Sequence, residues 1–253
     1  MTRAVILQIT HNACLALCRP VSEKRCTNSA LYFSVAGALV RPVNSVRDLR
    51  VFIDNDLGAV THVRRTVSRC FAALRQLRHL RRYVTDDCLR SLVVSLVHTR
   101  LDYGNFVLVE LPLYLQRRLQ SVLNVAARLV FRLSRYDHVS DALATLHWLR
   151  LPQRVDFKVP VMTFRVLHGL APPSYLNDLV RVADLSGRRR LRSSSSHQLL
   201  VPPFRLTTVA RRSFPVVASL LWWNSLPSDV QSSSSLHVFC QRLKTFLFYG
   251  HPM

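Results

Sequence analysis

The side chains best equipped for chemistry in this 253-residue chain are its arginines. Lysine and arginine together number 35 against 14 acids, a formal net charge of +21, and only Lys24, Lys158 and Lys244 are lysine. The planar guanidinium fork donates two parallel hydrogen bonds and matches a phosphate group. A field of this sign is expected to attract polyanions, nucleic acid first among them. Three groups stand out: Arg64, Arg65, Arg69, Arg75, Arg78 and Arg82; Arg117 and Arg118; and the densest run, Arg188, Arg189 and Arg190. Two have plainer alternatives. The first group could be a solvated helix face, the second decorates the remainder of its helix outside the apolar stripe, and the third could be a solvated linker or a localisation-like signal.

Other chemistry is thin. Six glycines leave no glycine-rich phosphate loop, and no HExxH or GxSxG pattern occurs. Asp86-Asp87 is the only adjacent acid pair. Polymerases use such pairs to bridge two magnesium ions, but this pair follows Thr85 at what reads as a helix start, where the helix dipole favours acids. His62, His79, His98, His138, His147 and His168 lack ligand spacing, and six cysteines form no CxxC pair. The thiols read as reduced and structural, in an intracellular protein, nuclear or cytoplasmic and not secreted. Tyr103, Trp148, Phe157, Phe164, Trp222 and Trp223 sit among aliphatic residues and read as core, with His147-Trp148 a packed corner. No apolar run is long enough to span a bilayer, so no membrane partner is expected. Gln8, Thr10, His11 and Asn12 interrupt the apolar N-terminal stretch, which argues against a signal peptide.

The elements that must position these side chains follow from periodicity. Residues 1–37 show no period and receive no role. In Ala38 to Asp54, β-branched residues flank Pro42, Asn44 and Ser45, which predicts two short strands around a turn. Thr61 to Arg82 predicts a long helix, with Val63, Val67, Cys70, Phe71, Leu74, Leu77 and Leu80 as its buried stripe and the arginines mostly off it. Thr85 suits an N-cap for a helix reaching His98 or beyond, with Leu89, Leu92, Val93, Leu96 and Val97 inside. Asp102, Gly104 and Asn105 suggest a break. Pro112 suits the start of a third helix to about Leu133, carrying Arg117 and Arg118. A fourth starts at Asp137 or Ser140 and runs toward Trp148. A fifth, from Pro152 to about Gly169, should be kinked or weakened by Pro160. A short helix is expected from Tyr175 to Val182, and a basic serine-rich loop over 186–213 with a short strand at Leu199 to Val201. Two further helices cover Phe214 to Trp223 and Leu236 to Phe248.

Seven blocks are then notable for their order: LDYGN (from Leu101), LQSVLNVAARLV (from Leu119), DHVSDAL (from Asp137), LHWLRLPQRVDFK (from Leu146), VLHGLAPPSYL (from Val166), LRSSSS (from Leu191) and LWWNSLP (from Leu221). In sequence and spacing they resemble non-LTR, LINE-like retrotransposon reverse transcriptases, in the region just after the polymerase palm. The resemblance covers roughly residues 38–248. DLRVFID (from Asp48) is similar to the strand of the family's primer-grip hairpin. The remainder resembles the thumb and the helical C-terminal region, whose task in the family is to hold the template–primer by its backbone. Nothing in the chain matches the family's metal-binding [FY]xDD motif, so no catalytic residue is carried over. Magnesium is implied only for the intact polymerase. Departures from the family pattern are Arg50 in place of glycine, Pro160 in place of a helix former, the added Ser174 and an added Trp in LWWNSLP, and Ala210 in place of glycine.

The expectation is therefore a mainly α chain, a helical thumb-like bundle with a small β-hairpin near the N-terminus. Its parts would be an unassigned segment (1–37), a palm-end hairpin (38–57), a thumb-like helical domain (58–185), and a basic loop with C-terminal helices (186–253). The expected function is that of a polymerase fragment, not an enzyme on its own, whose partner is an RNA or DNA template–primer held through backbone contacts. A helical protein-interaction module and an expressed remnant without function are the alternatives.

Overall fold

The computed structural model describes residues 33–35, 38–40, 43–171, 179–185, 197–204 and 210–249. The fold is mainly helical with a small antiparallel component near the N-terminus, as the periodicity predicts. The chain divides into two units, Met1–Thr66 and Val67–Met253.

In the first unit, β1 (Phe33–Val35) pairs with β2 (Ala38–Val40), and β3 (Ser45–Asp48) pairs with β4 (Val51–Asp54), both antiparallel. The turn expected at Pro42 to Ser45 is therefore misplaced. The hairpin closes at Leu49 and Arg50, both left-handed with φ of 42° and 68°. Two consecutive left-handed residues match the twist of the flanking strands, a geometry usually marked by Asn-Gly and disguised here by Leu-Arg. The pleat buries Phe52 and Asp54 rather than the β-branched Val51 and Ile53. Asp54 then serves the helix that follows: its Oδ2 accepts the Thr61 N–H at 2.9 Å, satisfying one orphan donor of the first turn.

Helix α1 (Val60–Leu80) keeps the predicted register. Val63, Val67, Cys70, Ala73, Leu74 and Leu77 are buried, but Leu80 is 47% exposed because the helix ends there.

In the second unit, Thr85 caps α2 (Asp86–Val93), its Oγ1 accepting the Cys88 N–H at 3.3 Å. The helix passes through a π-helical turn (Val94–His98) into α3 (Thr99–Asp102). The wider turn shifts the face: Val97 and His98 are buried while Leu96, an expected core residue, is exposed. Gly104, at φ 65°, adopts a left-handed conformation and opens the 3-10 turn Asn105–Leu108. Helix α4 (Leu113–Phe131) buries seven apolar side chains from Leu115 to Val130, each worth roughly 1.5–3 kcal/mol for a large aliphatic. Helix α5 spans Ser140–Thr145, and α6 (Leu151–Leu167) continues past a buried Pro160.

Residues 172–178, which include the first half of the expected Tyr175 to Val182 helix, lie outside the described residues. Val182–Asp184 is a 3-10 turn, and Arg181 bridges antiparallel to Leu199. The expected Phe214 to Trp223 helix is one α-turn, α7 (Phe214–Val216), followed by a π-helical stretch (Val217–Trp222) and a 3-10 turn (Trp223–Ser225). Helices α8 (Ser228–Gln231) and α9 (Leu236–Tyr249) follow. Leu149, Phe164, Leu199, Trp223, Leu226, Val230, Phe239, Leu243 and Leu247 form one core cluster. Polar side chains fasten its parts. The Asn224 amide pairs with both backbone groups of Leu199 at 2.8 and 2.9 Å, and Gln153 Nε2 donates to the Leu247 carbonyl at 2.8 Å.

Candidate nucleic-acid interface

Both units carry exposed cations. In the first, Arg64 is exposed on the opening turn of α1. Arg65 is also exposed, but its guanidinium lies over the Phe52 ring, 4.3 Å from the centroid. Arg47, the cross-strand neighbour of Phe52, approaches the same ring at 5.7 Å. Arg65 thus helps cover the one buried aromatic of the hairpin, a role sequence spacing does not show.

In the second unit, Arg69, Arg75, Arg78 and Arg82 are exposed, as are Arg117 and Arg118 on α4. None of them, nor Arg64, has an ion-pair partner among the described residues. Composition explains this: no acid occurs between Leu57 and Thr85, and α4 contains none. Arg188, Arg189 and Arg190 lie outside the described residues.

Arg81, which the arginine pattern does not single out, is structural. Its side chain is only 14% exposed, and it donates to the Leu129 carbonyl, to the Val130 carbonyl at 3.0 Å and to Asp86 Oδ1 at 3.3 Å. These are C-terminal carbonyls of α4 with no helical donor of their own, where a cation also meets the negative end of the dipole. Asp87 meets Arg90 at 3.5 Å. The adjacent acids are thus each taken up by an arginine at a helix start. No group of three metal-ligating side chains occurs among the described residues.

A second cluster is not singled out by the sequence reading. Arg154 Nη1 reaches both carboxylate oxygens of Asp102, at 2.7 and 2.9 Å, while its Nη2 sits 2.7 Å from His98 Nδ1. A guanidinium only donates, so Nδ1 accepts and the ring proton resides on Nε2. That nitrogen is buried and has no hydrogen-bond partner among the described residues. The ring packs edge-on against Trp148, centroids 4.1 Å apart. Burial and then the Arg154 charge push the His98 pKa down to about 3, so the ring is neutral. The predicted packed corner exists, but the partner of Trp148 is His98; His147 is exposed and left-handed at φ 53°. The usable signal was the i, i+4 spacing of His98 and Asp102, which places both on one helical face.

A small cleft opens between Leu108, Glu110, Leu111, Gln116, Leu151 and Asp156. Burial pushes the Asp156 carboxyl up to about 7. Glu110, left-handed at φ 53°, turns to Arg211 at 2.9 Å. Of the aromatics read as core, Trp148, Phe164 and Trp223 are buried, while Phe157 and Trp222 are partly buried against the core cluster. Tyr103 is 45% exposed because the chain breaks at Gly104 and turns it outward. Cys70, Cys88 and Cys240 are free thiols, and Cys14, Cys18 and Cys26 lie outside the described residues. No described helix is long and apolar enough to cross a membrane.

No protein-family model, curated protein or solved structure matches the chain.

Proposed function

We propose that the chain is the post-palm segment of a non-LTR retrotransposon reverse transcriptase, and that its work is to grip nucleic acid by the sugar–phosphate backbone. The seven ordered sequence blocks support the family reading. The gripping reading rests on one observation: Arg64, Arg69, Arg75, Arg78, Arg82, Arg117 and Arg118 are exposed and lack ion-pair partners among the described residues. Fixed cations without intramolecular partners release counterions from a polyanion when they bind it, which favours association and makes it salt-sensitive. Such contacts hold position and register but read no sequence. The segment supplies the hold; the family's polymerase chemistry belongs to carboxylates of the intact enzyme.

The test is charge reversal. Arg75→Glu, Arg78→Glu and Arg82→Glu combined are expected to weaken binding to an RNA–DNA duplex by at least about tenfold at low salt. Helical content should not change, because all three side chains face solvent. Wild-type affinity in the triple variant would refute the reading. Arg65 is left out of the set because its reversal would also uncover Phe52.

A further inference from the structure

Arg81 brings two connecting segments to one end of the second unit. It follows α1, and its bonds to the Leu129 and Val130 carbonyls tie it to the end of α4. A tyrosine follows each tie: Tyr83, 84% exposed, stands just past Arg81, and Tyr136, 89% exposed, lies in the turn after α4, which Arg128 Nη2 holds by the Asp137 carbonyl at 3.4 Å. Full exposure of a large ring forgoes the burial that normally stabilises it. Yet both backbones are held. The Tyr83 N–H donates to the Leu80 carbonyl at 2.9 Å, and the Tyr136 N–H to Ser134 Oγ at 3.3 Å. The second turn is closed by Ser134 N–H on Asp137 Oδ2 at 2.6 Å. The rings are therefore presented on ordered turns, which reduces the entropy lost on binding. Exposed Arg82 precedes the first tyrosine, and exposed Arg132 and Arg135 precede the second, none with an ion-pair partner among the described residues.

We infer that this end of the unit takes unpaired nucleotides, bases stacking on Tyr83 and Tyr136 while Arg82, Arg132 and Arg135 meet the flanking phosphates. This deepens the gripping reading and rests on it: the arginines alone would hold any backbone, but an exposed ring adds affinity only where a base is free to stack. The occupant is single-stranded nucleic acid, because the cations around both rings call for a polyanion and a duplex hides its base faces.

The full chain is tested by fluorescence anisotropy against a short oligouridine, an abasic ribose–phosphate strand of equal length and charge, and an RNA–DNA duplex. The expected result is preference for oligouridine over the abasic strand. Tyr83→Ala and Tyr136→Ala should each reduce oligouridine binding by roughly five- to tenfold, with abasic and duplex affinities unchanged. Tyr→Phe at either position should retain binding, since the ring rather than the hydroxyl does the stacking. Equal affinity for oligouridine and the abasic strand, or alanine variants that bind oligouridine like the wild type, would overturn the inference and leave the gripping reading standing. Absence of salt-sensitive binding to all three ligands would overturn the gripping reading, and this inference with it. Selective capture of an acidic protein, with no preference among the three ligands, would assign the tyrosines to a protein partner and also overturn the inference.

Discussion

Arg154 and Asp102, 52 residues apart, meet through two hydrogen bonds of 2.7 and 2.9 Å. Each lies in a sequence block that carries the family resemblance, LDYGN for Asp102 and LHWLRLPQRVDFK for Arg154. The pair fixes the end of α3 to the start of α6, and His98 and Trp148 close the same corner. Asp102→Asn leaves a guanidinium only 14% exposed without its anion. Asp102 itself is 44% exposed, so solvent screens part of the loss. The expected destabilisation is about 1–3 kcal/mol, measured by urea unfolding. Arg154→Met in the Asp102→Asn background should add much less than it does alone. Full additivity would mean the two side chains do not act as a pair.

His98 gives that corner a pH dependence. Its folded pKa lies near 3, below the ordinary 6.5, so the unfolded chain takes up a proton that the native state resists. Stability is then complete above about pH 6.5 and declines as pH falls toward 3, by up to about 5 kcal/mol. His98→Gln keeps an acceptor for Arg154 and removes the titration. The difference in stability between wild type and His98→Gln should move in favour of the variant on acidification from pH 7 to pH 4. A difference independent of pH would contradict the assignment.

Asp156 slopes the other way. Its folded pKa, raised by burial to about 7 from an ordinary 3.8, favours the neutral acid in the native state. The associated stability is present below about pH 4 and lost as pH rises through 7, by up to about 4 kcal/mol. Asp156→Asn imitates the neutral form, so it should stabilise the chain at pH 8 and leave it nearly unchanged at pH 4. Thermal melts at the two values decide this. Equal effects at both would show that the carboxyl titrates normally.

The β3–β4 turn predicts a stabilising change. Arg50, at φ 68°, occupies a conformation that glycine adopts without steric penalty. Arg50→Gly should therefore raise the stability of the hairpin by about 0.5–1 kcal/mol, read as slower amide exchange across Ser45–Asp48 and Val51–Asp54. Faster exchange would contradict the turn geometry.

How much of this was legible in the sequence depended on whether the signal was periodic or spatial. The stripes of α1 and α4 were readable because burial repeats every three to four residues, and Val63, Leu74, Leu115 and Leu123 lie where that rule places them. Leu96 was misjudged because a π-helical turn shifts the period. The hairpin turn was misplaced because Leu49 and Arg50 lack the residue types that mark left-handed pairs. The Asp102–Arg154 pair spans half a hundred positions and leaves no local pattern. The same is true of Arg81, which looks like one more surface cation until α4 supplies the carbonyls. Arg65 was legible as exposed, but not as the cover of Phe52.

The proposed gripping role is tested most directly by the salt dependence of binding to an RNA–DNA duplex. If four or more of these exposed arginines engage phosphates, log affinity should fall linearly with log salt with a slope of about −3 or steeper. The Arg75, Arg78 and Arg82 triple reversal should make that slope shallower. A slope near zero, or one unaltered in the variant, would contradict a backbone grip by these arginines.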